Sequence, residues 1–254
     1  MNDDFYIGWE GTAAPGIRKF AGRIVLLLLV AALGMALAVA GEQRSIGVSV
    51  FEWGTVKTFS GIFQIAPYPH LLVPRPGAPD AHDGFSTYYL IAPFKFGLDR
   101  EKLSALDGKT VALQGTLIYR GGQTMVEALP NSIKAVDRQL PALAGAEMVK
   151  LGRQTLKGEI VDSKCYLGVM NPGQLLPHRA CAIRCISGGI PPVLLVRQTN
   201  GAATYLLLVS AAGRPVNQQV LDLVAEPVQI TGEVERQGRL LILRADPSTY
   251  RRVN

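Results

Sequence analysis

From about residue 50 onward, apolar and polar positions alternate in short runs broken by Gly, Pro and Asn, which is the period of strands rather than of helices. The runs come in matched sets. TFSGIF (Thr58 to Phe63) is echoed by TLKGEI (Thr155 to Ile160) at an offset of 97. TYYLIA (Thr87 to Ala92) is echoed by TYLLLV (Thr204 to Val209) at 117, and VALQGTL (Val111 to Leu117) by VQITGEV (Val228 to Val234), again at 117. YRGGQTMVEA and ERQGRLLILRA close the two series, each reading as a hairpin around a Gly-containing turn. Shared order and shared spacing predict an internal duplication.

Each unit carries a first strand with a central Gly (Gly61, Gly158), further strands, a short helical or turn segment (GLDREKLSALDG, GRPVNQQVLDLV) and a terminal hairpin. Gly inside a strand permits the bend that a small closed barrel needs. The expected fold is mainly β, with two tandem OB-like small β-barrels at residues 50–138 and 153–250. A pair of SH3-like barrels is the alternative. The step from 97 to 117 places 20 extra residues in the second unit, on the segment 162–192. That segment is read as an inserted loop with a short helix, and long loops on rigid scaffolds are where function concentrates.

Ahead of the barrels, Ile24 to Ala40 is an unbroken apolar run of 17 residues, about 26 Å as a helix and close to the lower limit for crossing a bilayer. The small residues at Ala38 to Ala40 also suit a signal-peptide cleavage site. A leading tail (1–23) with Phe5, Tyr6, Ile7 and Trp9 favours a retained transmembrane helix at 24–40. Arg18, Lys19 and Arg23 precede the run and Arg44 alone follows it closely, so the N-terminus is expected in the cytoplasm and the barrels in the periplasm, anchored to the inner membrane. The formal charge of +6 lies entirely in the exported part. There it points to the membrane and to a membrane protein complex or redox partner, and nucleic acid is excluded as a partner on the strength of export.

The insertion, DSKCYLGVMNPGQLLPHRACAIRC, holds all three cysteines. Pro177 and Gly188 bracket a predicted helix from Pro177 to Ser187. On it His178, Cys181 and Cys185 share a face, but His178 and Cys185 stand about 10 Å apart along the axis, too far for one ion on an unbroken helix. Cys165 arrives from the end of the preceding strand, with Asp162 placed as a supporting acceptor for His178. Three readings stay open. Cys165, His178, Cys181 and Cys185 are candidate ligands for zinc, copper or an iron-sulfur cluster. Alternatively, Cys165 closes a disulfide with Cys181 or Cys185 in an oxidising compartment. The third reading is a redox-active thiol, with His178 lowering the pKa of Cys181.

His70 and His82 read as ordinary surface residues of a Pro-rich loop, and Tyr88, Tyr89, Phe94 and Phe96 as barrel aromatics, about half of them core. Phosphate loops, Ser/His/Asp arrangements and paired carboxylates are absent from the sequence, and independent catalytic turnover is not expected.

The stretch DSKCYLGVMNPGQLLPHRACAIRCISGGIPP resembles a loose group of uncharacterised bacterial membrane-associated proteins that share D-x-x-C, then H-x-x-C-A-x-x-C and a following G-x-P. The resemblance implies an exported, membrane-linked accessory of a respiratory electron-transfer complex, and brings no activity with it. The expected function is a membrane-anchored exported protein presenting a Cys/His metal or redox site. The alternatives are a structural interaction subunit stapled by a disulfide, and a thiol-disulfide carrier or metal chaperone.

Overall fold

The computed structural model describes residues 11–44, 48–75, 84–140, 147–198 and 202–253. His82 and the aromatic residues Phe5, Tyr6, Ile7 and Trp9 lie outside the described residues. The chain divides into two compact units, Met1–Gly47 and Val48–Asn254.

The first unit is one helix, α1 (Pro15–Arg44), of 30 residues. It runs beyond the apolar stretch at both ends, because Arg, Lys, Ala and Phe before it and Gly-Glu-Gln-Arg after it include no interior breaker stronger than a single Gly. The part from Pro15 to Gly41 is long and apolar enough to cross a membrane, a property that signal sequences share.

In the second unit the strands β1 (Ser49–Gln64), β2 (His70–Pro74), β3 (Phe85–Ile91), β4 (Thr110–Arg120) and β5 (Gln123–Ala128) close in the order β1-β2-β3-β5-β4 and back to β1. A two-residue strand β6 (Lys134–Ala135) adds to β4. Only β3 and β5 run parallel. A short helix α2 (Arg100–Leu103), capped by the Asp99 carboxylate accepting from Lys102 N–H, lies between β3 and β4. That connectivity is the OB barrel.

The pattern then repeats in β7 (Val149–Asp162), β8 (Pro192–Arg197), β9 (Ala203–Val209), β10 (Pro227–Gln237) and β11 (Leu240–Arg244), with a two-residue β12 (Arg251–Arg252) on β10. Here β9 and β11 are the parallel pair, and a 3-10 turn at Leu221–Leu223 stands where α2 stood.

The matched glycines explain how each barrel closes. β1 pairs with β4 up to Ile62 and with β2 from Ile62 onward; β7 changes partner from β10 to β8 at Glu159. The glycine sits one residue before each change. A Cβ on Gly61 would lie 2.5 Å from Leu72 O, and one on Gly158 2.5 Å from Leu195 O, so any side chain would push the second strand off the first. The terminal hairpins turn at Gly121-Gly122 and at Gly238-Arg239, where positive φ values at Gly121, Gly122 and Gly238 suit the primed two-residue turns.

The barrels are joined by a continuous core rather than strung on a linker. Tyr68, Tyr89, Ile118 and Met125 of the first pack in one buried cluster with Val161, Val193, Leu207 and Ile242 of the second. Tyr68 Oη accepts from Val216 N–H at 3.1 Å and reaches Leu208 O at 3.4 Å. The expectation for His70 is corrected here. It opens β2 and is 1% exposed, its Nδ1 2.8 Å from Tyr68 O and its Nε2 3.0 Å from Gln64 Oε1. Its place in APYPHLLV marks the start of a core strand, and burial holds its pKa below the ordinary imidazole value. Of the four aromatics, Tyr89 is core, Tyr88 half-buried, and Phe94 and Phe96 exposed.

Candidate functional site

In the first barrel five residues join the first two strands, whereas in the second the chain leaves β7 at Asp162 and re-enters at Pro192. The inserted stretch starts and ends at one place, since Ser163 N–H donates to Pro191 O at 3.2 Å. It opens with a π-helical turn at Cys165–Val169. After the Asn171-Pro172-Gly173 turn comes a single 3-10 turn at Leu176–His178, which runs directly into α3 (Arg179–Ser187). The predicted helix is therefore wound tighter in its first turn, and His178 sits at the junction, immediately before α3, with its side chain turned to Asp162 rather than to the helix end.

These turns bring the four candidate residues together. The ligand atoms of Cys165, His178 and Cys181 all lie within 4.8 Å of one another. A tetrahedral ion with bonds of about 2.0 to 2.3 Å holds its ligand atoms about 3.3 to 3.8 Å apart, so small side-chain rotations would close the set. Cys185 Sγ is 4.0 Å from Cys165 Sγ, and belongs with Asp162 and Cys165 in a second set. Among the described residues no such set contains both His178 and Cys185. The second set is the poorer one, because both oxygens of Asp162 are in use. Oδ1 accepts from Cys165 N–H at 2.8 Å, and Oδ2 is 2.9 Å from His178 Nε2. Asp162 is fully buried; it orients the imidazole and leaves Nδ1 for a ligand. The Cys/His cluster is compatible with a metal ion.

All three cysteines are free thiols. A hydrogen bond joins Cys165 and Cys185. That bond and burial push the Cys165 thiol well up, while the same bond holds Cys185 below the ordinary thiol value, with Lys95 adding to the effect.

Lys95 is the residue that sequence reasoning missed. It comes from the first barrel, 86 positions from Cys181, and places Nζ 2.7 Å from Cys181 Sγ and 3.8 Å from Cys185 Sγ. The hydrogen bond to Cys181 raises the pKa of Lys95. Three backbone features fix it. Phe94 holds a positive φ of 62°, which is uncommon and costly outside glycine. Gly97 N–H donates to Gly188 O at 2.9 Å. A Cβ on Gly188 would come within 2.0 Å of Lys95 O. Gly188 thus does more than end α3: it lets the two main chains meet.

Lys164, from the same D-S-K-C run, makes a second crossing. It is buried, pairs with Glu127 of β5 and donates to Phe94 O. Tyr166 receives the Arg120 guanidinium 4.4 Å above its ring. Over the thiols lies a cavity of about 330 Å³ bordered by Phe51, Trp53, Phe94, Lys95, Cys165 and Cys181. The aromatic rim at Trp53 and Phe94 is 76% and 80% exposed.

No family model and no curated protein matches the chain. It is similar to a deletion mutant of the single-stranded DNA-binding protein from Thermus aquaticus, at 12% identity over 82% of this chain and 88% of that one, with a TM-score of 0.23. The exclusion of nucleic acid as a partner is corrected on this finding, since a protein to which the chain is similar is named for binding single-stranded DNA. A likeness of that size carries no argument beyond the correction.

Proposed function

We propose that this is an exported protein, held to the membrane by α1, whose second barrel presents Cys165, His178 and Cys181 to a borderline or soft transition metal such as zinc or copper(I). The observation that carries the reading is the approach of those three ligand atoms to within 4.8 Å of one another. Thiolate and imidazole donors suit these metals, and a carboxylate behind a ligating histidine is the usual support. The basic residues before the apolar run favour a cytoplasmic N-terminus. An accessory role beside a membrane-bound redox complex fits an anchored chain with a single thiol-rich site.

Metal analysis of the full chain, purified in detergent under nitrogen without reductant or chelator and combined with thiol counting after denaturation, tests the reading. Stoichiometric metal with all three thiols titratable is the expected result. Metal-free protein with a single titratable thiol overturns it in favour of a Cys165-Cys185 disulfide. That second reading rests on the 4.0 Å between their sulfurs, about 2 Å more than a covalent pair needs.

A further inference from the structure

We propose that Lys95 and Cys181 form a modification site, a covalent N–O–S bridge made with dioxygen, which fastens the first barrel to the second and removes Cys181 from the metal ligands. The inference shares Cys181 with the metal reading but does not depend on it.

The separation is the first support. Nζ to Sγ is 2.7 Å, as short as the shortest N–H···O hydrogen bonds although sulfur is the larger atom. Two single bonds meeting at one oxygen atom would span that distance. The surroundings are the second. Among the described residues no carboxylate pairs with Lys95, and its ammonium lies 2.7 Å from Cys181 Sγ and 3.8 Å from Cys185 Sγ. Placement is the third. The positive φ of Phe94 and the main-chain contact of Gly97 and Lys95 with Gly188 hold the amine on the sulfur. Strained backbone of this kind concentrates where a side chain must be aimed. Access is the last. All three thiols border the cavity, but Cys165 and Cys185 are 3% and 0% exposed whereas Cys181 is partly exposed, so Cys181 is the thiol open to an oxidant.

The step balances with dioxygen as the oxidant. The Lys95 ammonium first releases a proton to solvent; the S–H bond of Cys181 and one N–H bond of the resulting amine then break. One oxygen atom enters between Sγ and Nζ, forming the S–O and O–N bonds, and the other leaves as water with the two hydrogens. Sulfur and nitrogen each give up two electrons, which together reduce both oxygen atoms. Thiol reductants cleave the link at sulfur: one thiol displaces the oxygen, which leaves on Nζ as a hydroxylamine, and a second frees Cys181 as the reductant becomes a disulfide.

The experiment is peptide mass spectrometry on the full chain, purified in detergent in air without reductant. The expected product is a linked pair of peptides carrying Lys95 and Cys181, heavier than their sum by one oxygen less two hydrogens. It disappears after dithiothreitol and is absent from Lys95→Arg, which keeps the charge. Recovery of the two peptides unlinked after exposure to air, or with Cys181 in a disulfide or oxidised to a sulfinic acid, overturns the proposal. Metal content of the reduced Lys95→Arg protein is measured alongside: its loss speaks to folding or to the metal reading, while the bridge is judged on the wild-type peptides alone.

Discussion

Gly188→Ala isolates the contact on which the site depends. Gly188 has φ of −78° and ψ of −1°, which alanine adopts without strain, so any cost comes from what the new methyl group meets. It would lie 2.0 Å from Lys95 O and 3.2 Å from Lys95 C. Both are main-chain atoms of the other barrel and cannot rotate away. Forcing an extra carbon into such a contact costs about 1 to 3 kcal/mol, and separating the chains weakens the Gly97 N–H to Gly188 O bond, adding about 0.5 to 1.5 kcal/mol. Replacing glycine returns about 0.4 to 1 kcal/mol through the unfolded chain. A net loss of about 0.5 to 4 kcal/mol remains, or roughly 1 to 16 °C in Tm for a unit of this size. The assay is thermal unfolding of the full chain in detergent, with the rate of Cys181 alkylation as a local readout. The melting temperature should fall and alkylation should speed up as Lys95 withdraws. Lys95→Ala in the same chain should not relieve the loss, because the colliding oxygen belongs to the backbone. A Gly188→Ala protein that melts within about a degree of wild type would refute the close approach of the barrels.

Asp162→Asn should lower metal affinity about 10- to 100-fold and destabilise the reduced protein, since the buried His178 loses its charged partner; competition with a metal-sensitive dye and a denaturant titration give the two numbers. Tyr68→Phe leaves the buried Val216 N–H without its acceptor, so the urea midpoint should fall by the equivalent of about 1 to 3 kcal/mol, and an unchanged midpoint would remove Tyr68 from the interface account. Burial holds the pKa of His70 down, so protonation favours the unfolded chain. Its contribution to stability is present above the unfolded value of about 6.5 and is lost as pH falls from there toward its lower folded value. The decline in ΔG as pH falls below about 6.5 should shrink in His70→Gln, and an identical acid limb in the variant would count against it.

The barrel architecture was legible because it is local. Alternation marks strands, Gly-Gly in YRGGQT marks a hairpin, and the change of offset between matched runs locates the insertion between β7 and β8. Pro177 and Gly188 bracketed the helix to within a turn. Lys95 was not legible, because nothing near it in sequence refers to cysteine. Its place follows from main-chain contact between Gly97 and Gly188, and a glycine that ends a helix looks the same as one that admits a neighbouring chain. His70 was misread for a related reason. The prolines around it suggested a loop, but Pro67 and Pro69 precede the strand, and the histidine is the first residue of β2.

The turn at Cys165–Val169 makes the two barrels one part rather than two. A Cβ on its Gly168 would lie 2.4 Å from Val50 O of β1, so the stretch that carries the cysteines is also wedged against the first barrel. The thiols come from one barrel and the amine beside them from the other. Neither barrel cut out alone would keep the arrangement, and exchanging either for a foreign one would separate its halves.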